Sequence, residues 1–281
     1  MEIVRKVHAM KELARRARAA GRRIGFVPTM GYLHEGHMSL VRRVKAECDL
    51  TVVSIFVNPT QFGPNEDLSR YPRDLARDSD LCVREGVDVI FAPDAAEIYP
   101  EGASTFVEVA GISSRLEGAS RPGHFRGVAT VVLKLFEVVK PNVAAFGQKD
   151  AQQAIVLQRM TRDLLVDVEI LVLPIVRDED GVAMSSRNVY LSAAERRAAR
   201  AIPSCLEAAE RAVAGGERDP AKVVAAARAI LDAEAGLRVD YLELVDTTTL
   251  QPAPKLEGEL LLAVAAFAGK TRLIDNTVLR P

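Results

Sequence analysis

Phe26-Val27-Pro28-Thr29-Met30-Gly31-Tyr32-Leu33-His34-Glu35-Gly36-His37 is the stretch on which the reading of this chain turns. An apolar run over 24–27 reads as a strand, which Pro28 and Gly31 are expected to stop. After His37, the residues Met38, Leu40, Val41 and Val44 recur at near-helical spacing. The pattern predicts strand, tight turn and then a helix over 36–48, with two histidines at the helix start. A helix N-terminus presents unpaired N–H groups and a partial positive charge, which favour phosphate. Histidines three apart lie on one face there and can donate hydrogen bonds to phosphate oxygens. Gly36 between them lets a ligand approach the backbone. On spacing alone a helix cap fits equally well. Zinc fits poorly, because His-Glu-Gly-His lacks the two-residue gap of the zinc-protease helix. Cys48, Cys82 and Cys205 are also far apart and away from other histidines.

The chain has 281 residues, 48% of them hydrophobic, enough for one large domain or two modest ones. A net charge of −1 provides no strong field for nucleic acid or a membrane surface. Basic residues cluster over 5–23, but Glu2 and Glu12 accompany them, and Val4, Val7, Met10 and Ala14 keep helical spacing. That is a solvated first helix ending at Gly21, not a transit peptide. No apolar run reaches membrane-spanning length. Few and dispersed cysteines point to a reducing, cytoplasmic setting.

Strands alternate with helices through the first part of the chain. A near-continuous apolar run over 50–57 reads as a strand covered on both faces. A helix over 72–85, a strand over 87–92, a buried helix through 128–139, a strand over 143–146, a helix over 150–162 and a strand over 168–173 follow. Between 93 and 127 the chain is mostly loop, with a short strand near 105–109 and a small helix near 113–117 expected. This is the pattern of a doubly wound, Rossmann-like parallel α/β sheet, assigned to residues 1–176. Residues 177–281 change character. Two Ala-rich helices, the first interrupted near Pro203 and the second starting at Asp219-Pro220, precede strands near 239–245, 260–267 and 271–278. They read as a smaller α+β domain. Gly269-Lys270-Thr271 resembles the end of a P-loop, but the first glycine is missing at Val264, so it is assigned to a turn.

In a doubly wound sheet, ligands sit beyond the carboxyl ends of the strands. The histidine turn, the loop with Asn58 and Gln61, and the turn Gly147-Gln148-Lys149-Asp150 all fall at such ends. Lys149 there can neutralise phosphate charge that builds in a transition state. Ser186 offers a hydroxyl and Arg187 a planar fork suited to phosphate. Each piece has a bland reading: loop hydrogen bonding for the amides, a surface position for the lysine, ordinary loop chemistry for Ser-Ser-Arg-Asn. Asp78 alone reads as part of a solvated helix face.

Pro-Thr-Met-Gly-x-Leu-His-x-Gly-His, Asn-Pro-x-Gln-Phe at 58–62 and Lys149-Asp150-x-Gln-Gln together resemble the pantoate–β-alanine ligase (pantothenate synthetase) family, within the HxGH nucleotidyltransferase superfamily. The resemblance covers roughly 26–190; beyond that the match is in type only. It implies an ATP-dependent ligase that makes pantoyl-adenylate and pyrophosphate, then pantothenate and AMP. It implies that His34, His37 and Lys149 are catalytic. Asn58, Gln61 and Gln153 would hold pantoate, with Met30, Phe62, Val131 and Val132 around its methyl groups. ATP would meet Met30, His37, Gly147, Lys149, Asp150, Val176, Met184, Ser185, Ser186 and Arg187, the last four on a phosphate-gripping loop of a lid domain. Asp78 would lie near magnesium, and the segment 121–127 would cover the pantoate site. Gln148 and Ala151 depart from the family's usual Glu and aromatic residue. A homodimer in the cytoplasm is implied. Two other readings stay open: an HxGH nucleotidyltransferase acting on a phosphorylated acceptor, and a nucleotide-binding module without turnover.

Overall fold

A computed structural model of the chain describes residues 1–64 and 66–281. Its contacts divide into two compact units, Met1–Gln148 with Gln152–Pro174, and Lys149–Ala151 with Ile175–Pro281. The short turn around Lys149 thus groups with the second unit, although its chain neighbours belong to the first.

In the first unit the order is β1 (Glu2–Val4), α1 (Val7–Ala19), β2 (Ile24–Thr29), α2 (Glu35–Lys45), β3 (Leu50–Ile55), α3 (Leu75–Arg84), β4 (Val89–Phe91), α4 (Ala95–Ile98), α5 (Glu117–Ser120), α6 (His124–Val139), β5 (Val143–Gly147), α7 (Ala151–Asp163) and β6 (Glu169–Leu173). The sheet runs β1-β4-β3-β2-β5-β6, all parallel. It is the doubly wound, Rossmann-like sheet that strand–helix alternation predicts. The order reverses at β2, between β3 and β5, so the crevice for a ligand opens where β2 and β5 end. Val27, Val53, Ile90 and Ala145 from the strands and Leu40, Val41 and Val44 from α2 share one apolar core.

Three local expectations change. Pro28 does not stop β2, which continues to Thr29 against β3. Pairing with β5 covers only Gly25 and Phe26, so the missing N–H of Pro28 removes no ladder bond on that side. Residues 105–109, all described, form no strand. Instead Val107 N–H donates to Thr130 Oγ1 at 2.9 Å, and the Arg126 guanidinium stacks 3.9 Å from the Phe106 ring centre. Side chains of α6 therefore hold that segment where a ladder was expected. β1 is an addition to the predicted strands, because three residues are too few to show a period; it pairs with β4, with Glu2 N–H donating to Asp88 O at 2.8 Å.

The second unit contains α8 (Ala193–Ala199), α9 (Ala201–Ala214), α10 (Pro220–Asp232), β7 (Leu237–Asp246), β8 (Leu260–Ala268) and β9 (Thr271–Leu279). The strands form an antiparallel sheet in the order β7-β8-β9. Leu206, Leu231, Leu262 and Val264 sit at the centre of its core. Pro203 lies in the first turn of α9, where no helical N–H is lost, and the break falls at Arg200. Asp219 caps α10 by accepting from Ala221 N–H at 2.9 Å. Gly269, with φ +57°, makes the hairpin turn between β8 and β9, as expected for the false P-loop.

Candidate active site

The histidine turn is built from its backbone outward. Gly31 has φ +84° and Tyr32 φ +51°, so the chain reverses sharply after Met30. A Cβ at Gly31 would also sit 2.9 Å from Ile55 Cγ2, so only glycine fits. Thr29 Oγ1 donates to Ser54 O at 2.7 Å and accepts from Gly31 N–H at 3.1 Å. Asp78, on α3 and fully buried, accepts from Tyr32 N–H at 2.7 Å and Leu33 N–H at 2.8 Å, one on each oxygen. Burial pushes its carboxyl pKa up, against the pull of those two donors and Arg77. Asp78, expected near magnesium, thus spends one lone pair of each oxygen on shaping the turn. Among the described residues no group of three or more His, Cys, Asp or Glu side chains is placed to hold a metal.

His34 precedes the first turn of α2 and His37 lies within it. Their rings are 4.1 Å apart, centre to centre. His34 N–H donates to His37 Nδ1 at 3.3 Å. That bond makes Nδ1 the acceptor, so the neutral ring carries its proton on Nε2, the tautomer needed to donate to a phosphate oxygen. The α2 N-terminus adds its own partial positive charge.

The loop after β3 separates two amides the sequence could not rank. Asn58 is 1% exposed and used on both sides. Its Nδ2 donates to Gln61 Oε1 at 3.0 Å and to Gly127 O at 3.2 Å. Its Oδ1 accepts from Tyr99 OH at 2.8 Å and from Thr60 Oγ1 at 2.9 Å. Asn58 therefore orients Gln61, rather than offering free polar atoms of its own. Gln61 Nε2 lies 3.2 Å from Met30 Sδ, a weak acceptor, which joins the loop after β3 to the start of the histidine turn. Val131 and Val132 are buried on α6, and Phe62 packs edge-on to Tyr71 at 5.9 Å. On α7 the adjacent glutamines divide similarly. Gln152 is buried and bonds Ile112 O, Arg115 O and Glu117 N–H at 2.8–3.0 Å. Gln153, one step round the helix, stays partly exposed.

The segment 121–127 has a more specific job than cover. A Cβ at Gly127 would stand 2.4 Å from Thr60 O, so glycine lets α6 press against the Gln61 backbone. His124 Nδ1 donates to Gln61 O at 2.9 Å, while its Nε2 accepts from Arg121 Nη1 at 3.1 Å. Arg121 in turn grips Glu66 through two bonds, of 3.0 and 2.6 Å. This clamp of Glu66, Arg121 and His124 has no signal in the sequence beyond the motif around it.

Burial, then the neighbouring Arg121 charge, lowers the His124 pKa from 6.5 to about 4. The unfolded chain takes up that proton near 6.5 and the folded chain only near 4. Stability from this group is thus complete above pH 6.5 and falls as pH drops toward 4, by about 3 kcal/mol at most. Urea midpoints measured from pH 7.5 to 4.5 should show that decline, and His124→Gln should flatten its part of it. A decline of equal depth in the variant would show that other groups carry it.

In the second unit, Lys149 Nζ lies 3.6 Å from Asp150 Oδ2, and its side chain is mostly covered. Val176 O accepts from Met184 N–H at 3.0 Å, and Arg177 bridges Ala183, so 176–184 is a short hairpin. Arg196 braces its tip through Asp178 at 2.7 Å and Asp180 at 2.6 Å, which holds the Asp180 carboxyl below its usual range. Ser185 Oγ then accepts from Arg187 N–H at 3.2 Å and caps a one-turn helix, Ser186–Tyr190, with Ser186 buried.

A family model described as pantoate-beta-alanine ligase matches residues 2–278. A pantothenate synthetase of Thermotoga neapolitana is 56% identical over 279 residues, covering 99% of this chain and 100% of its own. Among solved structures, the pantothenate synthetase of Thermus thermophilus superposes with a TM-score of 0.94 at 46% identity, over 100% of both chains. A pantoate-beta-alanine ligase of Francisella tularensis, complexed with beta-gamma ATP and beta-alanine, gives a TM-score of 0.80 at 35% identity, covering 99% of this chain and 97% of its own.

Proposed function

The chain belongs to the pantoate–β-alanine ligase family, and from that premise we propose how its residues carry the reaction. It is an enzyme that ligates pantoate to β-alanine with ATP as co-substrate. A carboxylate has no leaving group until one oxygen is esterified. A pantoate carboxylate oxygen therefore attacks the α-phosphorus of ATP, and the bond to the bridging oxygen breaks, releasing pyrophosphate. The β-alanine amine then attacks the acyl carbon of pantoyl-adenylate. The C–O bond breaks, AMP leaves with that oxygen, and the amine loses a proton.

One observation carries this assignment of roles: the contact of Gln61 Nε2 with Met30 Sδ at 3.2 Å. It sets the Gln61 amide against Met30 at the head of the turn that leads to the two histidines, which supports the reading that a carboxylate held by Gln61 meets a phosphate held by His37. Gln61 and Gln153 hold pantoate in this reading, Asn58 sets Gln61, and Met30, Phe62, Val131 and Val132 pack on the methyl groups. His34, His37 and Lys149 stabilise charge on the α-phosphate as it grows. Gly147, Asp150, Val176 and Met184 line the nucleoside end, largely through backbone atoms. Ser185, Ser186 and Arg187 take the outer phosphates. Magnesium would come with ATP and neutralise phosphate charge, with Asp78 near it although two backbone bonds already hold that carboxylate.

The test is AMP release. It should require pantoate, β-alanine and magnesium together. AMP formed without regard to pantoate would refute the assignment, and a dinucleotide product would return the chain to the nucleotidyltransferase reading.

A homodimer is proposed on one surface of the first unit. β6 is an edge strand, and Val172 on it is exposed alongside Leu164 and Leu165. An unpaired apolar edge is suited to a second copy. Light scattering should return twice the chain mass, and the single-chain mass would count against it. A cytoplasmic location suits the unpaired Cys48, Cys82 and Cys205, and fractionation checks it. Among the described residues no helix is long and apolar enough to cross a membrane.

A further inference from the structure

β9 is an edge strand of the second unit's sheet, yet two adjacent polar residues on it, Asp275 and Asn276, are each only 3% exposed. Neighbours on a strand face opposite ways. Asp275 shares its side with Leu273 and Leu279, both members of the apolar core, and Asn276 faces the other. A buried charge and a buried amide are each costly unless partnered. Asp275 accepts from Arg177 Nη1 at 2.6 Å and Nη2 at 3.1 Å, and Arg177 Nη1 also donates to Gly181 O at 3.1 Å. Asn276 N–H donates to Asp275 Oδ1 at 2.8 Å. Asn276 Nδ2 then donates to the main-chain carbonyl of Lys149 at 3.0 Å.

The bonds form a line: the hairpin that leads into Ser186 and Arg187, then Arg177, Asp275, Asn276 and the backbone of Lys149. The two parts it joins are 98 and 127 residues from β9 in the chain. Both belong to the second unit by their contacts. A lone amide with a solvated face would need no such partners. Here the amide supplies a donor that an isosteric carboxylate lacks, and it supplies it to one carbonyl of one turn.

We propose that Asn276 is a positioning residue for Lys149. It fixes the lysine's backbone in the same frame as the 184–188 loop, so that Lys149 and Arg187 meet the phosphates of one ATP in a set relation. This rests on the reading of Lys149 as the cation on the α-phosphate. Asp275 and Arg177 act at one remove, by fixing Asn276 and the hairpin. Misplacing a reacting group by a small distance costs up to about a hundredfold in rate.

The test uses the full chain with Asn276→Ala and Asn276→Thr, each made in the wild-type and in the Lys149→Ala background. Single-turnover formation of pantoyl-adenylate should fall about tenfold or more in the wild-type background. It should fall no further once Lys149 is already gone. The KM for β-alanine, measured with pantoyl-adenylate supplied, should stay within about twofold in all variants, since that step does not use the lysine's placement. Equal losses in both backgrounds would mean a general structural role and overturn the proposal. A variant that is merely less stable falls under the same comparison, because its loss repeats in both backgrounds. Full adenylation rate in both Asn276 variants, with Lys149→Ala slow, would overturn this inference alone. Full rate in Lys149→Ala itself would remove the reading beneath it.

Discussion

Lys149→Ala should slow pantoyl-adenylate formation on the order of a hundredfold to a thousandfold, while ATP affinity changes only a few-fold. The asymmetry follows from where the charge appears. In the proposed site, bound ATP would carry its charge on oxygens that water, magnesium and the α2 N-terminus also serve. In the transition state, charge grows on the α-phosphate and on the departing pyrophosphate, and a fixed cation gains most there. Lys149 suits that task, since its side chain is mostly covered and its ion pair with the half-exposed Asp150 is long at 3.6 Å. The amine step, started from supplied pantoyl-adenylate, should suffer less. Stopped-flow or quench-flow single turnovers measure each half separately. A Lys149→Ala enzyme with wild-type adenylation would make the lysine a bystander. His37→Ala should show the same pattern, because its Nε2–H donor is fixed by the bond to His34 N–H.

Gln61→Ala should cut kcat/KM for pantoate by about tenfold to a hundredfold, the worth of a hydrogen bond to a charged group, about 1.5–3 kcal/mol. ATP binding should hardly change. Asn58→Ala should also weaken pantoate use, but through a different route. It removes one bond each from Tyr99 OH, which keeps Thr60 Oγ1, and from Gly127 O, and it frees Gln61 to rotate, so it should lower the melting temperature as well. Gln61→Ala loses the bond its Oε1 accepts from Asn58 Nδ2 and the weak contact of its Nε2 with Met30 Sδ, but Asn58 Nδ2 keeps Gly127 O, so its melting temperature should fall less than that of Asn58→Ala. Kinetics and thermal melts of the two variants together separate a contact residue from its support. Equal losses of ATP and pantoate affinity in Gln61→Ala would show the pocket divided wrongly.

How far the sequence reaches depends on what it encodes locally. Strand, turn and helix around His34 and His37 are legible because period, glycine and proline sit side by side there. The parallel sheet is legible from alternation, and the turn at Gly269 from the missing P-loop glycine. Contacts between distant residues are not. Asn58 and Gln61 look alike as letters, and only Tyr99 and Gly127, far along the chain, decide which amide is spent on the fold. Gln152 and Gln153 differ by about a hundred degrees of helix phase, which no motif states. Asp78 reads as a solvated acid because Arg77 and Asp80 flank it, whereas the turn it bonds lies more than forty residues earlier. Asn276 carries no signal at all, since its partner is the backbone of Lys149. The residues 105–109 mislead in the opposite way: their composition suits a strand, but Thr130 supplies the bond a neighbouring strand would have made.

The central claim is that a pantoate oxygen becomes bonded to the α-phosphorus and leaves with AMP. Pantoate labelled with ¹⁸O in its carboxylate tests it in one experiment. After a turnover with ATP and β-alanine, mass spectrometry should find one labelled oxygen in AMP and none in pyrophosphate. Label recovered in inorganic phosphate with ADP as co-product, or AMP free of label, would contradict the account.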